Sequence, residues 1–104
     1  IEISMMERHP IGSQAFMPLS DHDWLVVVAP TNGDDSAPDF NGLRCFHARG
    51  DQGVGYAPHV WHHPLLVRQP QDFLIADRAG PEGESDSANL QEHWEDSPVA
   101  VIEI

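Results

Sequence analysis

The chain has 104 residues, a length suited to one domain and too short for two. Its 40% hydrophobic content and eight glycines are those of a globular protein and argue against wholesale disorder. Seventeen acids against five bases give a net charge of −12, which stays negative even with all seven histidines protonated. A general nucleic-acid binder is therefore excluded for want of a basic footprint.

All five bases are arginines, and a surface of ten Asp and seven Glu without Lys points to a salt-rich source, where screening relieves self-repulsion. The longest apolar run, Trp24 to Ala29, ends at Pro30 and falls far short of the roughly 20 residues that cross a bilayer as a helix. The first ten residues lack the basic start and long apolar stretch of a secretory signal, and the chain begins at Ile1, as a trimmed or partial chain would. The single cysteine, Cys45, has no internal disulfide partner; it reads as a buried, inert thiol in a reducing, cytoplasmic compartment.

Short apolar stretches separated by Gly, Pro and Asp clusters predict β structure. In chain order the expected strands are a weaker Ile1–Met6, then Ser13–Leu19, Trp24–Ala29, Leu43–Ala48, Val60–Val67, Phe73–Arg78 and Val99–Ile104. Pro30–Gly42 is expected to be an exposed, mobile connector. Arg49–Gly55 is expected to be a loop in which Arg49–Gly53 forms a tight turn joining antiparallel strands, and Gly80–Ser97 an acidic loop with a short helix over Ser87–Glu95. The whole of 1–104 reads as one small all-β domain, a barrel or sandwich, since a single sheet of this size would leave one face and two edges unprotected.

Histidines carry most of the candidate chemistry, because neutral imidazole accepts protons near physiological pH and binds transition metals. In Val60-Trp61-His62-His63-Pro64 the strand period of two sends His62 and His63 to opposite faces, so at most one of them enters a common cavity. The same rule separates Asp77 from Arg78. Glu7-Arg8-His9-Pro10 places an acid, a fixed cation and an imidazole just before a turn; Glu7 beside His9 could fix its tautomer or act as a base. There is no Gly-rich phosphate loop, nucleophile elbow, paired-Cys zinc site or His-Glu-x-x-His helix.

Three stretches together resemble the ureidoglycolate lyase family, also called ureidoglycolate hydrolase. They are Glu7 through Leu19, Gln52-Gly53-Val54-Gly55-Tyr56 leading to Val60-Trp61-His62-His63-Pro64, and Asp72 through Arg78; the resemblance covers most of residues 1–80. It implies a cupin-like antiparallel β-barrel of jelly-roll type, here lacking N-terminal strands. It further implies a homodimer that cleaves ureidoglycolate to glyoxylate and urea in allantoin and purine nitrogen breakdown. In the cupin scheme His9 and Gln14 occupy the first motif and His62 the second. A divalent metal ion of unassigned identity could sit on these three, although Gln14 stands where metal-binding cupins carry Glu, and an amide is the poorer ligand.

Ureidoglycolate is a small anion whose hydroxyl must lose a proton while the departing urea nitrogen gains one. On that chemistry Arg8 holds the carboxylate, and His62 or His9 takes the hydroxyl proton. Tyr56 or Gln14 orients the ureido group, Asp77 sets an imidazole's tautomer, and Glu7 and His63 complete the substrate-binding set. The family commonly carries Asn at the position of Gly55 and His at that of Ala57. Their loss favours an alternative, a non-catalytic cupin module that binds a small organic acid or sugar.

Overall fold

A computed structural model describes residues 1–85 and 87–103. Among the described residues eleven strands run in chain order. They are β1 (Glu2–Ile3), β2 (Met5–Arg8), β3 (Gln14–Pro18), β4 (Trp24–Ala29), β5 (Arg44–Ala48), β6 (Val54–Tyr56), β7 (Trp61–His62), β8 (Leu66–Val67), β9 (Phe73–Asp77), β10 (Gln91–Trp94) and β11 (Ala100–Val101). A single 3-10 turn at Phe40–Gly42 precedes β5. All strand pairs are antiparallel. The main sheet has the order β10-β2-β7-β4-β5, with β8 also on β4; a second sheet runs β6-β3-β9, and β1 pairs with β11. The protein is all-β, as expected, in a small cupin-like sandwich.

The central strand explains the layering. Trp24-Leu25-Val26-Val27-Val28-Ala29 is apolar on both faces and rich in β-branched residues, as a strand covered on both sides requires. Val26 and Trp24 pack with Phe16, Tyr56 and Ala48 toward the three-stranded sheet. Val27 and Ala29 pack with Ile3, Met6 and Trp61 on the opposite face, where Phe40, Leu43 and Ile102 close the layer. The main sheet is thus the middle of the molecule, and everything on β7 and β2 belongs to one face or the other.

Several expectations are corrected. The expected strand Val60–Val67 is two strands, because Pro64 has no N–H for the ladder; β7 and β8 both return to β4. The helix expected over Ser87–Glu95 is absent. Gln91–Trp94 instead pairs residue for residue with Met5–Arg8, and this long-range partner overrides a faint helical spacing. The turn expected over Arg49–Gly53 is closed by Gln52 N–H donating to the Arg49 carbonyl, but the strands it joins lie in different sheets, and Val54 and Gly55 of the expected loop belong to β6.

The connector at 30–42 is bound by its own side chains: the Asn32 Oδ1 accepts from the N–H groups of Ser36 and Ala37. Of the expected strand Val99–Ile104, Ala100–Val101 pairs with β1; Ile104 lies outside the described residues, as does Asp86 of the acidic loop. Cys45 is exposed rather than buried. It sits opposite the fully buried Val27, but β5 is the sheet edge, beyond the reach of the covering layer. What burial it keeps pushes the thiol's pKa up, which leaves it a weak nucleophile. Among the described residues no helix is long and apolar enough to cross a membrane.

Candidate active site

Strand register builds two facing rows of polar side chains. In the main sheet Glu7 of β2 lies opposite His62 of β7, which lies opposite Val28 of β4. In the smaller sheet Gln14 of β3 lies between Tyr56 of β6 and Asp77 of β9. The rows meet where the Tyr56 ring stacks on the His62 imidazole, centroids 4.0 Å apart with 10° between the planes. His9, one residue past the end of β2, closes the gap, its ring centroid 5.3 Å from that of His62.

His62 is 1% exposed. Its Nδ1 lies 2.9 Å from the Val60 carbonyl, which can only accept, so Nδ1 carries the proton. Burial drives the pKa down to about 4, opposed by the Val60 bond, and the ring is neutral at pH 7. Its Nε2 is then a bare lone pair, buried and without a hydrogen-bond partner. Such a group is costly to leave unsatisfied, and a reactive site is one of the few reasons a fold keeps one.

The Glu7 carboxylate lies 3.7 Å from His62 Nε2; with the imidazole neutral this is a close approach, not an ion pair. Burial raises the Glu7 pKa, with His9 opposing. Tyr56 is buried, and that burial first, the Glu7 charge second, push its hydroxyl up to about 12, so it remains a donor. His9 is held at both nitrogens, Nδ1 2.8 Å from the Asn89 carbonyl and Nε2 3.0 Å from Gln14 Oε1. The Gln14 amide nitrogen reaches toward Asp77 Oδ2 at 3.5 Å, so Asp77 touches no imidazole itself and acts on His9 only through Gln14.

Glu7, His9, Gln14, Tyr56, His62 and Asp77 therefore come together. Arg8 does not, and His63 stands beside them, near enough for its charge to act on Glu7 and His62. Arg8 points to the other face of β2, 4% exposed, over the Trp61 ring at 4.4 Å. Its guanidinium is bonded to Gln91 Oε1 at 2.6 Å and to the side chain and carbonyl of Asp35 at 2.6 and 2.9 Å. His63 turns its Nδ1 to the Pro64 carbonyl. Gly55 lies opposite Ala15 on the outer face of β6, where a Cβ would meet nothing within 4 Å; Ala57 is exposed.

Donor atoms of Glu7, His9 and His62 lie within 4.8 Å of one another. With the unpaired Nε2 of His62 among them, this mixed imidazole and carboxylate set fits a divalent transition ion. Sequence reasoning did not find two contributors, the Asn89 carbonyl and the Val60 carbonyl, because main-chain acceptors leave no mark on residue type.

Comparison with known proteins follows the same residues. A family model described as ureidoglycolate lyase matches residues 1–102, well past Gly80 where the visible resemblance ends. The chain is 48% identical over 103 residues to the ureidoglycolate lyase of Agrobacterium fabrum, an alignment covering 98% of this chain and 57% of that protein. Against the ureidoglycolate lyase of Brucella anthropi it is 58% identical over 95 residues, covering 90% of this chain and 51% of the relative. Against that of Burkholderia mallei the identity is 46% over 104 residues, covering 96% and 59%. The chain thus spans a little over half the length of these curated relatives. With nearly its full extent matched and the two facing rows built from the matched residues, the chain belongs to the ureidoglycolate lyase family.

Proposed function

We propose that the protein cleaves ureidoglycolate to glyoxylate and urea where the Glu7–His62 row meets the Gln14–Tyr56 row. The observation that carries this reading is the buried, unpartnered Nε2 of a neutral His62, set beside a carboxylate and a second imidazole. His62 Nε2 takes the proton of the substrate hydroxyl. As the O–H electrons form the carbonyl of glyoxylate, the carbon–nitrogen bond breaks, and the departing urea nitrogen receives the proton from His62. No oxidant or further reactant is consumed.

Glu7 stabilises the imidazolium formed in between, and stacked Tyr56 holds the ring plane while its hydroxyl donates to the ureido oxygen. His9 and the Gln14 amide meet the substrate carboxylate. Arg8 supports the opposite face of β2. A divalent ion held by Glu7, His9 and His62 would instead polarise the hydroxyl and carboxylate oxygens, since it would occupy the same His62 Nε2 lone pair.

Adding racemic ureidoglycolate to purified protein tests the reading: urea and glyoxylate should appear in equal amounts. Binding of a small acid without their release would favour the non-catalytic module instead. A cytoplasmic location accords with a lone cysteine.

The working unit in this reading is a homodimer. The outer face of the β6-β3-β9 sheet exposes Met17 and Leu74 around a cavity of about 310 Å³ also lined by Ala15, Gly55 and Ala76. The cavity lining contains no charged side chain, in a chain of net charge −12. A second copy can meet it there without bringing acids together.

A further inference from the structure

We infer that Glu92 is the specificity-determining residue for the ureido end of the substrate, its carboxylate accepting the terminal N–H groups. The row that carries the chemistry does not stop at Glu7. Strand β10 pairs with β2 so that Glu92 lies opposite Glu7, which lies opposite His62. Directly paired residues share a face of a sheet, so the row runs Val28, His62, Glu7, Glu92 across β4, β7, β2 and β10.

Like charges set opposite one another on adjacent strands are destabilising, and these two are within electrostatic reach: the Glu92 charge adds to burial in raising the Glu7 pKa, against His9. The Glu92 side chain is nonetheless fixed in place. Its Oε2 accepts the indole N–H of Trp94 at 2.8 Å, which leaves Oε1 for a ligand. Trp94 is 65% exposed, so this hydrogen bond, and not burial, is what the indole supplies here.

Ureidoglycolate has an anionic end and an end rich in N–H donors. A pair of carboxylates repels the first and attracts the second, which orients the molecule. With the hydroxyl at His62 Nε2 and the carboxylate at His9 and Gln14, the ureido arm runs along the row, away from apolar Val28 and toward Glu92. From His62 to Glu92 is two strand spacings, roughly 10 Å of backbone, bridged by the glutamate side chain and the arm itself. The Tyr56 hydroxyl then serves the ureido oxygen and Glu92 the terminal nitrogen.

The substrate named here rests on the lyase reading, and two unreactive ligands test the contact apart from it. Ureidoacetate lacks the hydroxyl and keeps the terminal NH2; N-acetylglycine has the same shape with a methyl group in place of that NH2. Calorimetry on the native protein should show ureidoacetate bound about 10–100-fold tighter than N-acetylglycine, as expected of a hydrogen bond to a charged group. Glu92 is exposed, so Glu92→Ala should fold, and in it that preference should vanish. Trp94→Phe, which releases the carboxylate, should keep part of it. KM for ureidoglycolate should rise by the same factor in Glu92→Ala with kcat near native. An unchanged preference in Glu92→Ala overturns the inference, as does a native protein that binds the two ligands equally or binds neither. A native protein that prefers ureidoacetate through Glu92 yet releases no urea sinks the lyase reading and leaves the recognition standing.

Discussion

The rings of Tyr56 and His62 lie parallel and 4.0 Å apart, one from each of two sheets. The contact joins the hydrophobic core to the site: Tyr56 packs edge-on against Phe16, so the plane of the imidazole is set by the same layer that holds the sheets together. A base oriented this way needs no rearrangement at the moment of proton transfer.

Replacing His62 by Ala should lower turnover by about 10²–10⁴ if its Nε2 is the base. Because the residue is buried, folded protein must be verified first by circular dichroism. His62→Gln, closer in volume, serves as the second variant, and near-native turnover in a folded His62→Gln would remove the role.

Stability should fall on acidification through the window between the ordinary histidine value of 6.5 and about 4. The sign follows from proton counting: in that window the unfolded chain binds a proton at His62 and the folded chain does not, so lower pH favours unfolding. The contribution is absent above 6.5 and reaches on the order of 3 kcal/mol below the folded value. Urea midpoints measured across this range should drop less steeply in His62→Gln than in the native protein.

Arg8→Met should cost at least about 2 kcal/mol, since it removes several hydrogen bonds to a charged group together with the stacking over Trp61. Arg8→Lys should recover only part, having no planar fork. In both variants KM should stay near native, because the side chain faces away from the two polar rows. A large rise in KM with unchanged melting temperature would instead return Arg8 to the substrate carboxylate.

Leu74→Glu places a charge on the outer sheet face without touching either polar row. Light scattering should show the native mass at twice that of the chain and the variant at one chain mass, with its circular dichroism retained. A native protein that is monomeric at all concentrations would contradict the dimer.

Much of this was legible in the residues, and the exceptions have physical causes. β4 was readable to the residue because an apolar, β-branched run bounded by Pro30 has few other places to go. Period two separated His62 from His63, and the structure gives the inward position to His62. The same rule separates Glu7 from Arg8, yet motif spacing grouped them as one unit; only the pairing of Glu7 with His62 assigns the faces. β10 was not legible, since Gln91-Glu92-His93-Trp94 has no strand pattern of its own and is drawn into the sheet by β2.

The opposed orientation of Glu7 and Arg8 has one more consequence. A slip of β2 by a single residue against β7 would swap a carboxylate for a guanidinium beside the imidazole, reversing the sign of the field there while leaving composition and fold class untouched. Backbone pairing in this corner thus acts as an electrostatic selector, and insertions or deletions near Met5–Arg8 should harm the chemistry together with the packing of the fully buried Met6.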